Sequence, residues 1–198
     1  MATERKSPDT TILQTNLSGD IGLIQDDPDS PDANWWTAAN NNADTVAHVS
    51  FPTPTGNPTV GAGLQQFKIW VKKWDGIGTP TVRIDLYENG SLLANILAAT
   101  DVTSSSGQLF SATWNANLLG TADGSLVECY IYGTKTGGSP SSRATVLVGA
   151  VGWNVDYSTG PIPNAYNKIL FTSEPPTPNA WNQVKQEAGT GWKKLLYV

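Results

Sequence analysis

Between Gln66 and Ala94, apolar and polar positions alternate with a period of two. In Gln66–Trp74, Phe67, Ile69 and Val71 fall on one side, and Lys68, Trp70 and Lys72 on the other. In Thr81–Glu88, Val82, Ile84 and Leu86 alternate with Arg83, Asp85 and Tyr87. Successive side chains on a strand point to opposite faces, so the pattern predicts strands with one buried and one wet side. Asn89-Gly90 supplies the two positive-φ residues of a tight hairpin turn, and SLLANILAATDV follows as a third strand. The stretch predicts a β-meander with a core face made by Phe67, Ile69, Val71, Val82, Ile84 and Leu86. Its opposite face carries Trp70, Trp74 and Tyr87, which are the candidate contacts for a partner or a glycan.

The rest of the chain extends this pattern. Thr11–Gln14, Ile21–Ile24, Asp44–Phe51, Gln108–Asn115, Leu126–Tyr132 and Ala144–Asp156 read as further strands. Gly149 and Gly152 in the last of these predict a bulge or a close backbone approach. Ala116–Gly124 reads as a loop with a short helical turn, and residues 52–63, PTPTGNPTVGAG, as a Pro/Gly loop. The expectation is an all-β, antiparallel, jelly-roll-like sandwich over residues 11–158, preceded by a polar N-terminal segment, 1–10. Residues 159–198 change character: Pro-rich, with too little apolar content for a core of their own, they predict an extended assembly arm. Trp181, Trp192, Leu195, Leu196 and Tyr197 would be its anchors. Ala180–Ala188 could form a two-turn helix and Trp192–Val198 an edge strand.

Composition narrows the function. Charged residues are only 15% of 198, with 19 Gly and 13 Pro, as expected for many short strands and turns. The net charge of −5 argues against nucleic-acid binding, which needs a basic stripe. Residues 1–66 hold eight acidic groups against two basic, net −6, and residues 67–198 are net +1. This asymmetry could assist head-to-tail association of subunits. Cys129 is the single cysteine, so internal disulfides are excluded and a small buried hydrophobe is expected there. MATERKSPDTT has no apolar core of a signal peptide, and no run approaches membrane-spanning length. That predicts synthesis in a cytoplasm and no membrane partner.

Candidate chemistry is sparse. One His and one Cys leave no material for most acid–base or nucleophilic constellations. His48 stands on a strand with no second metal ligand spaced nearby. The Gly-rich stretches lack the lysine and helix of a phosphate loop. Asp85, Glu88 and Glu128 could in principle pair for glycoside hydrolysis, but nothing in their spacing marks them. Asp26, Asp27, Asp29 and Asp32 in DDPDSPDANWW offer a weak calcium candidate, against a reading as Asp-Pro and Ser-Pro turn chemistry. Trp35 and Trp36 are adjacent and so face opposite ways, one core and one rim. No cofactor is expected.

Several segments resemble a β-sandwich module of tailed-bacteriophage virion proteins: DDPDSPDANWWTA, SFPTPTGNPTVGAGLQQFKIWV, LYENGSLLA, TWNANLLGTADGSLVECYIYGT and GGSPSSRATVLVGAVGWNVDYS. Together they span roughly residues 25–158. The ending GWKKLLYV is similar to the Trp-Lys-Lys-aromatic endings of other phage structural proteins. The resemblance implies a non-enzymatic virion component, whether capsid decoration, head fibre or tail tip. Its partners would be capsid or tail subunits and further copies of itself, and it brings no catalytic residues. The competing expectation, from the exposed aromatics, is a host-glycan-binding module on a tail fibre or tail tip. Trp70, Trp74, Tyr87, Tyr130 and Tyr132 would then form its platforms.

Overall fold

The computed structural model describes residues 2–38, 43–74, 76–137 and 143–157, together with the backbone of 183–185 and 192–194. Residues Met1–Ser158 and Thr159–Val198 form separate compact units.

The first unit is a β-sandwich. One sheet has the order β1-β11-β6-β9, formed by Ala2–Lys6, Thr145–Tyr157, Gln65–Trp74 and Gln108–Trp114. The other has the order β2-β5-β10-β7-β8, formed by Thr10–Thr15, Thr45–Ser50, Val127–Thr134, Thr81–Glu88 and Ser91–Asp101. Every neighbouring pair in both sheets is antiparallel. The alternating apolar positions meet between the sheets. Phe67, Ile69 and Val71 from one and Val82, Ile84 and Leu86 from the other are fully buried in a single core. Phe51, Phe67, Trp114 and Trp153 add an aromatic cluster, with Phe51 stacked on Phe67 at 5.4 Å and Trp114 on Trp153 at 5.8 Å.

The hairpin turn forms as its sequence requires: Asn89 and Gly90 have φ of 49° and 75° and join β7 to β8. The meander does not. β6 and β7 are consecutive in the chain but lie in different sheets. Their connection runs through Gly76 and Gly78, both at positive φ, and Pro80, and carries the chain across the core. Trp70 and Trp74 therefore point away from the core on one side of the sandwich and Tyr87 on the other.

Three further expectations change. The N-terminal segment joins the sandwich, because β1 adds an edge to β11 from Ala2↔Tyr157 to Lys6↔Trp153. Glu4 fastens it by accepting from Thr55 N at 2.6 Å and Thr55 Oγ1 at 2.8 Å. Ile21–Ile24 is a 3-10 turn and not a strand. Leu23 N closes on Asp20 O, and Ile24 is buried in the core cluster without any ladder. In the C-terminal unit Gln183–Lys185 (β12) pairs with Trp192–Lys194 (β13), so the described part of the stretch expected as a helix is a strand; the rest of it lies outside the described residues.

The bulge expected in the last sandwich strand is present between Val148 and Ala150. It shifts Val146 and Val148, then Val151 and Trp153, onto the core side, and leaves Val148 O to accept from Trp36 N at 2.8 Å. A short pair, β3 (Leu17–Ser18) with β4 (Thr37–Ala38), closes the neck of the loop between them. This loop lies over the outward side of β11, where Leu147 and Ala150 are buried although they face away from the core. Trp35 sits against Gly149, where a Cβ would come within 2.7 Å of its ring, and Lys72 Nζ lies 4.2 Å from the Trp35 centroid. Burial there draws the Lys72 ammonium below its ordinary pKa. Trp36 is the core member of the pair, fully buried, with Nε1 donating to Asp20 O at 2.8 Å.

Among the described residues no helix is long and apolar enough to cross a membrane.

Candidate functional site

The outward face of the five-stranded sheet gathers most of the unclaimed chemistry. The ladders set three rows across it. One row runs Thr10, Ser50, Glu128, Tyr87, Leu92; the next runs Leu13, His48, Tyr130, Asp85, Asn95; the third brings Thr15, Val46, Tyr132 and Arg83 side by side. These positions are the polar halves of the alternating strands, so the same period that builds the core delivers them to one surface.

Tyr87 and Tyr130 stack at 5.4 Å with 27° between their planes. His48 packs against both, 5.0 Å from Tyr87 and 5.3 Å from Tyr130. The His48 ring is buried and fixed from one end, with Nε2 2.8 Å from Glu128 Oε2. The same carboxylate accepts from Gly90 N at 3.1 and 3.2 Å, which ties the hairpin tip to the aromatic cluster. Leu92, beside Tyr87 on the edge strand, is 58% exposed.

The adjoining half of the face is polar. Asp85 is buried and accepts from Arg83 Nε at 3.0 Å and Asn95 Nδ2 at 2.6 Å. Arg83 in turn lies over the Tyr132 ring, 5.1 Å from its centroid. Tyr132 donates its hydroxyl to Asp44 Oδ2 at 2.8 Å, and Lys135 N donates to Asp44 Oδ1 at 2.9 Å. The hydrogen bond to Asp44 raises the Tyr132 phenol above its ordinary pKa; burial, with the Tyr87 ring beside it, does the same for Tyr130. Both rings stay neutral at physiological pH. The result is a half-buried aromatic strip backed by carboxylates whose geometry is fixed by donors.

The structure divides the residues expected to make contacts. Tyr87, Tyr130 and Tyr132 come together here. Trp70 and Trp74 do not: they occupy the outward side of the other sheet. Trp70 is half-buried there beneath Gly107, where an added Cβ would fall 2.2 Å from its ring. Trp74 is likewise half-buried there. Trp181, Leu195, Leu196 and Tyr197 lie outside the described residues, and Trp192 is known only as the first residue of β13. His48, Glu128, Asp85 and Asn95 complete the face. Their only sequence signal is membership of the polar register, which needs strand order before it can be used.

The aspartate loop carries turn chemistry. Asp27 Oδ1 accepts from Asp29 N at 3.0 Å, Asp26 accepts from Asp32 N, Asp32 Oδ1 accepts from Asn34 N at 2.8 Å, and Asp29 pairs with Lys68 at 2.5 Å. Among the described residues no three His, Cys, Asp or Glu side chains converge on a metal-sized site. Glu88 likewise serves a loop, accepting from Gly120 N at 2.7 Å, Thr121 N at 2.8 Å and Thr121 Oγ1. Asp85, Glu88 and Glu128 are thus each committed to fixed donors.

No family model and no curated protein matches the chain. Among solved structures it is similar to the C-terminal CBM6 of LamC, a marine laminarinase from Zobellia galactanivorans, with a TM-score of 0.41, 11% identity, and coverage of 78% of this chain and 100% of that one. It is also similar to the CBM22-1 xylan-binding domain of Paenibacillus barcinonensis Xyn10C, with a TM-score of 0.36, 12% identity, and coverage of 78% and 94%. A T13 viral particle of IBDV is a third, with a TM-score of 0.30, 7% identity, and coverage of 60% and 32%. The superpositions are loose, and the antiparallel sandwich stands on the chain's own ladders.

Proposed function

We propose that the chain is a non-catalytic carbohydrate-binding module whose glycan lies across the outward face of the five-stranded sheet. The observation that carries this reading is the Tyr87–Tyr130 pair, half-buried beside the exposed Leu92 and locked from below by His48 and Glu128. A pyranose ring has an apolar C–H face and a rim of hydroxyls. It suits a surface where aromatic rings present both a hydrophobic body and a polar tip, next to fixed acceptors and donors. Both rings keep part of their surface exposed, and that exposed part is what a sugar would meet. The Arg83 guanidinium offers further donors and Asn95 Oδ1 an acceptor beside them, and rigid tyrosines lose little entropy on binding.

Titration of the full chain against a panel of soluble polysaccharides tests the proposal. Tyr87→Ala and Tyr130→Ala should each weaken binding about tenfold or more, as central aromatic contacts do. Trp70→Ala, on the opposite side, should leave affinity unchanged. Equal loss from all three substitutions, or no glycan bound by the intact chain, would overturn the assignment.

The resemblance to virion modules supports a second reading at another level: a structural subunit of a phage particle, joined to its neighbours through residues 159–198. The separate C-terminal unit favours it, since it contributes a hairpin of its own. Protein composition of purified particles, with and without deletion of 159–198, tests this reading. Retention of the deleted chain at full copy number would count against the arm.

A further inference from the structure

Among the described residues, four buried side-chain atoms at one end of the core have no hydrogen-bond partner: Thr59 Oγ1, Gln65 Oε1, Trp114 Nε1 and Trp153 Nε1. They share one neighbourhood. Gln65 is the ladder partner of Trp114 on one side and of Val155 on the other. Its Nε2 donates to Thr59 O at 3.2 Å and Asp156 O at 2.8 Å. Two carbonyls on that atom fix the amide orientation, so Oε1 is the unused end. Trp114 and Trp153 stack on one another at 28°. Gln65 and Trp153 are fully buried and Trp114 keeps 4% exposure. The Pro/Gly loop closes over this corner: Thr59 N donates to Asp156 O at 2.7 Å, and Pro54, Pro58 and the Trp153 ring crowd the space beside Gly124.

A buried donor or acceptor left unpaired carries its whole desolvation cost. Four together would remove a large share of the stability that a domain of this size possesses. The chemistry of the set selects what can relieve it. Two indole N–H groups donate only, and so repel a cation. The Gln65 carbonyl accepts only, and so repels an anion. The Thr59 hydroxyl does either. A small neutral molecule that both donates and accepts satisfies all four. We propose that this corner is a built hydration site, in which ordered water bridges the two indoles, Gln65 Oε1 and Thr59 Oγ1 beneath the 54–64 loop. The site is independent of the glycan face and stands or falls separately from it.

Water–proton cross-relaxation in the full chain, labelled with 15N at the tryptophan indoles, tests the proposal. The Hε1 protons of Trp114 and Trp153 should show cross-peaks to long-lived water. Trp36 Hε1, which donates to Asp20 O, should show none and serves as the internal reference. Trp114→Phe and Trp153→Phe assign the two resonances by their disappearance. If either variant fails to fold, through-space contacts to Gln65 and Val155 in the unsubstituted chain assign them instead. Silent indoles at Trp114 and Trp153, matching Trp36, would overturn the proposal. So would solvent exchange as fast as that of an exposed indole, because the corner would then be open and not a buried site.

Discussion

Replacing Glu88 by Gln should make the pH dependence of stability readable at a single carboxylate. Burial works to raise the Glu88 pKa, but the donors Thr121 Oγ1, Gly120 N and Thr121 N outweigh it and hold the group below its ordinary value of 4.5. Hydrogen bonds to a charged acceptor contribute about 1.5–3 kcal/mol. Gly120 is exposed and Thr121 half-buried, so water can replace part of what is lost, and the lower end applies. The amide also turns one acceptor into a donor that faces donors. E88Q should therefore cost about 2 kcal/mol at pH 7, which is within reach of urea denaturation. The sign follows from linkage. The folded pKa is depressed, so the unfolded chain binds more protons in this range, and the contribution is present above the ordinary glutamate value and lost as pH falls through the folded pKa. The gap between E88Q and the unsubstituted chain should stay constant from pH 7 to about 5 and close below the ordinary glutamate range. A gap that persists unchanged at pH 3, or one that is absent at pH 7, would refute the role given to the Gly120–Thr121 clamp.

Other substitutions test other parts of the structure. Phe67→Ala, at a fully buried ring that contacts Phe51, Trp114 and Trp153, should cost about 3–5 kcal/mol in denaturant midpoint analysis. Gly90→Ala, at φ 75°, should cost roughly 1 kcal/mol by thermal melt, from the left-handed backbone alone, because nothing lies within 4 Å of the added Cβ. Cys129 is fully buried and burial raises its thiol pKa well above the usual range, so a disulfide reagent should leave the native chain unmodified and react stoichiometrically in denaturant. Rapid reaction of the native chain would contradict that burial.

Strands were legible in this sequence wherever one face is buried and the other wet. Thr81–Glu88 and the Asn89-Gly90 turn emerge with their exact bounds because both signals are local. Sheet membership was not legible, because a period of two assigns faces and not neighbours. The useful clue was the connection after Trp74, too long and too rich in Gly and Pro for a two-residue hairpin turn. β1 carried no apolar alternation at all; backbone pairing with β11 and the Glu4–Thr55 contact hold it. The proposed glycan face was legible only in part. Tyr87, Tyr130 and Tyr132 showed themselves as aromatics in polar register. His48 and Glu128 lie 80 residues apart and become partners only through the β5–β10 ladder, where Tyr130 opposes His48 and Glu128 opposes Ser50.

The two outward faces of the sandwich have opposite fates, and the proposed site rests on that difference. On the four-stranded sheet the chain covers itself. The loop between β3 and β4 brings Pro28 and Trp35 onto Gly152 and Gly149, and the Ser104–Gly107 turn, held by Lys73 N donating to Ser104 O at 2.8 Å, closes over Trp70. Gly149 is needed because the Trp35 ring approaches the backbone too closely for a Cβ, whereas at Gly152 a Cβ would meet Pro28 at 3.3 Å, a tight contact. Aromatic residues there are accounted for by intramolecular packing. On the five-stranded sheet no described segment plays that part, although the strands place three tyrosines on the surface around a buried histidine. Keeping such a strip ordered without a cover requires support from below, and the His48–Glu128–Gly90 and Arg83–Asp85–Asn95 networks supply it. Support of that kind preorganises a surface for a ligand, since rings already held in place have little freedom left to lose on binding.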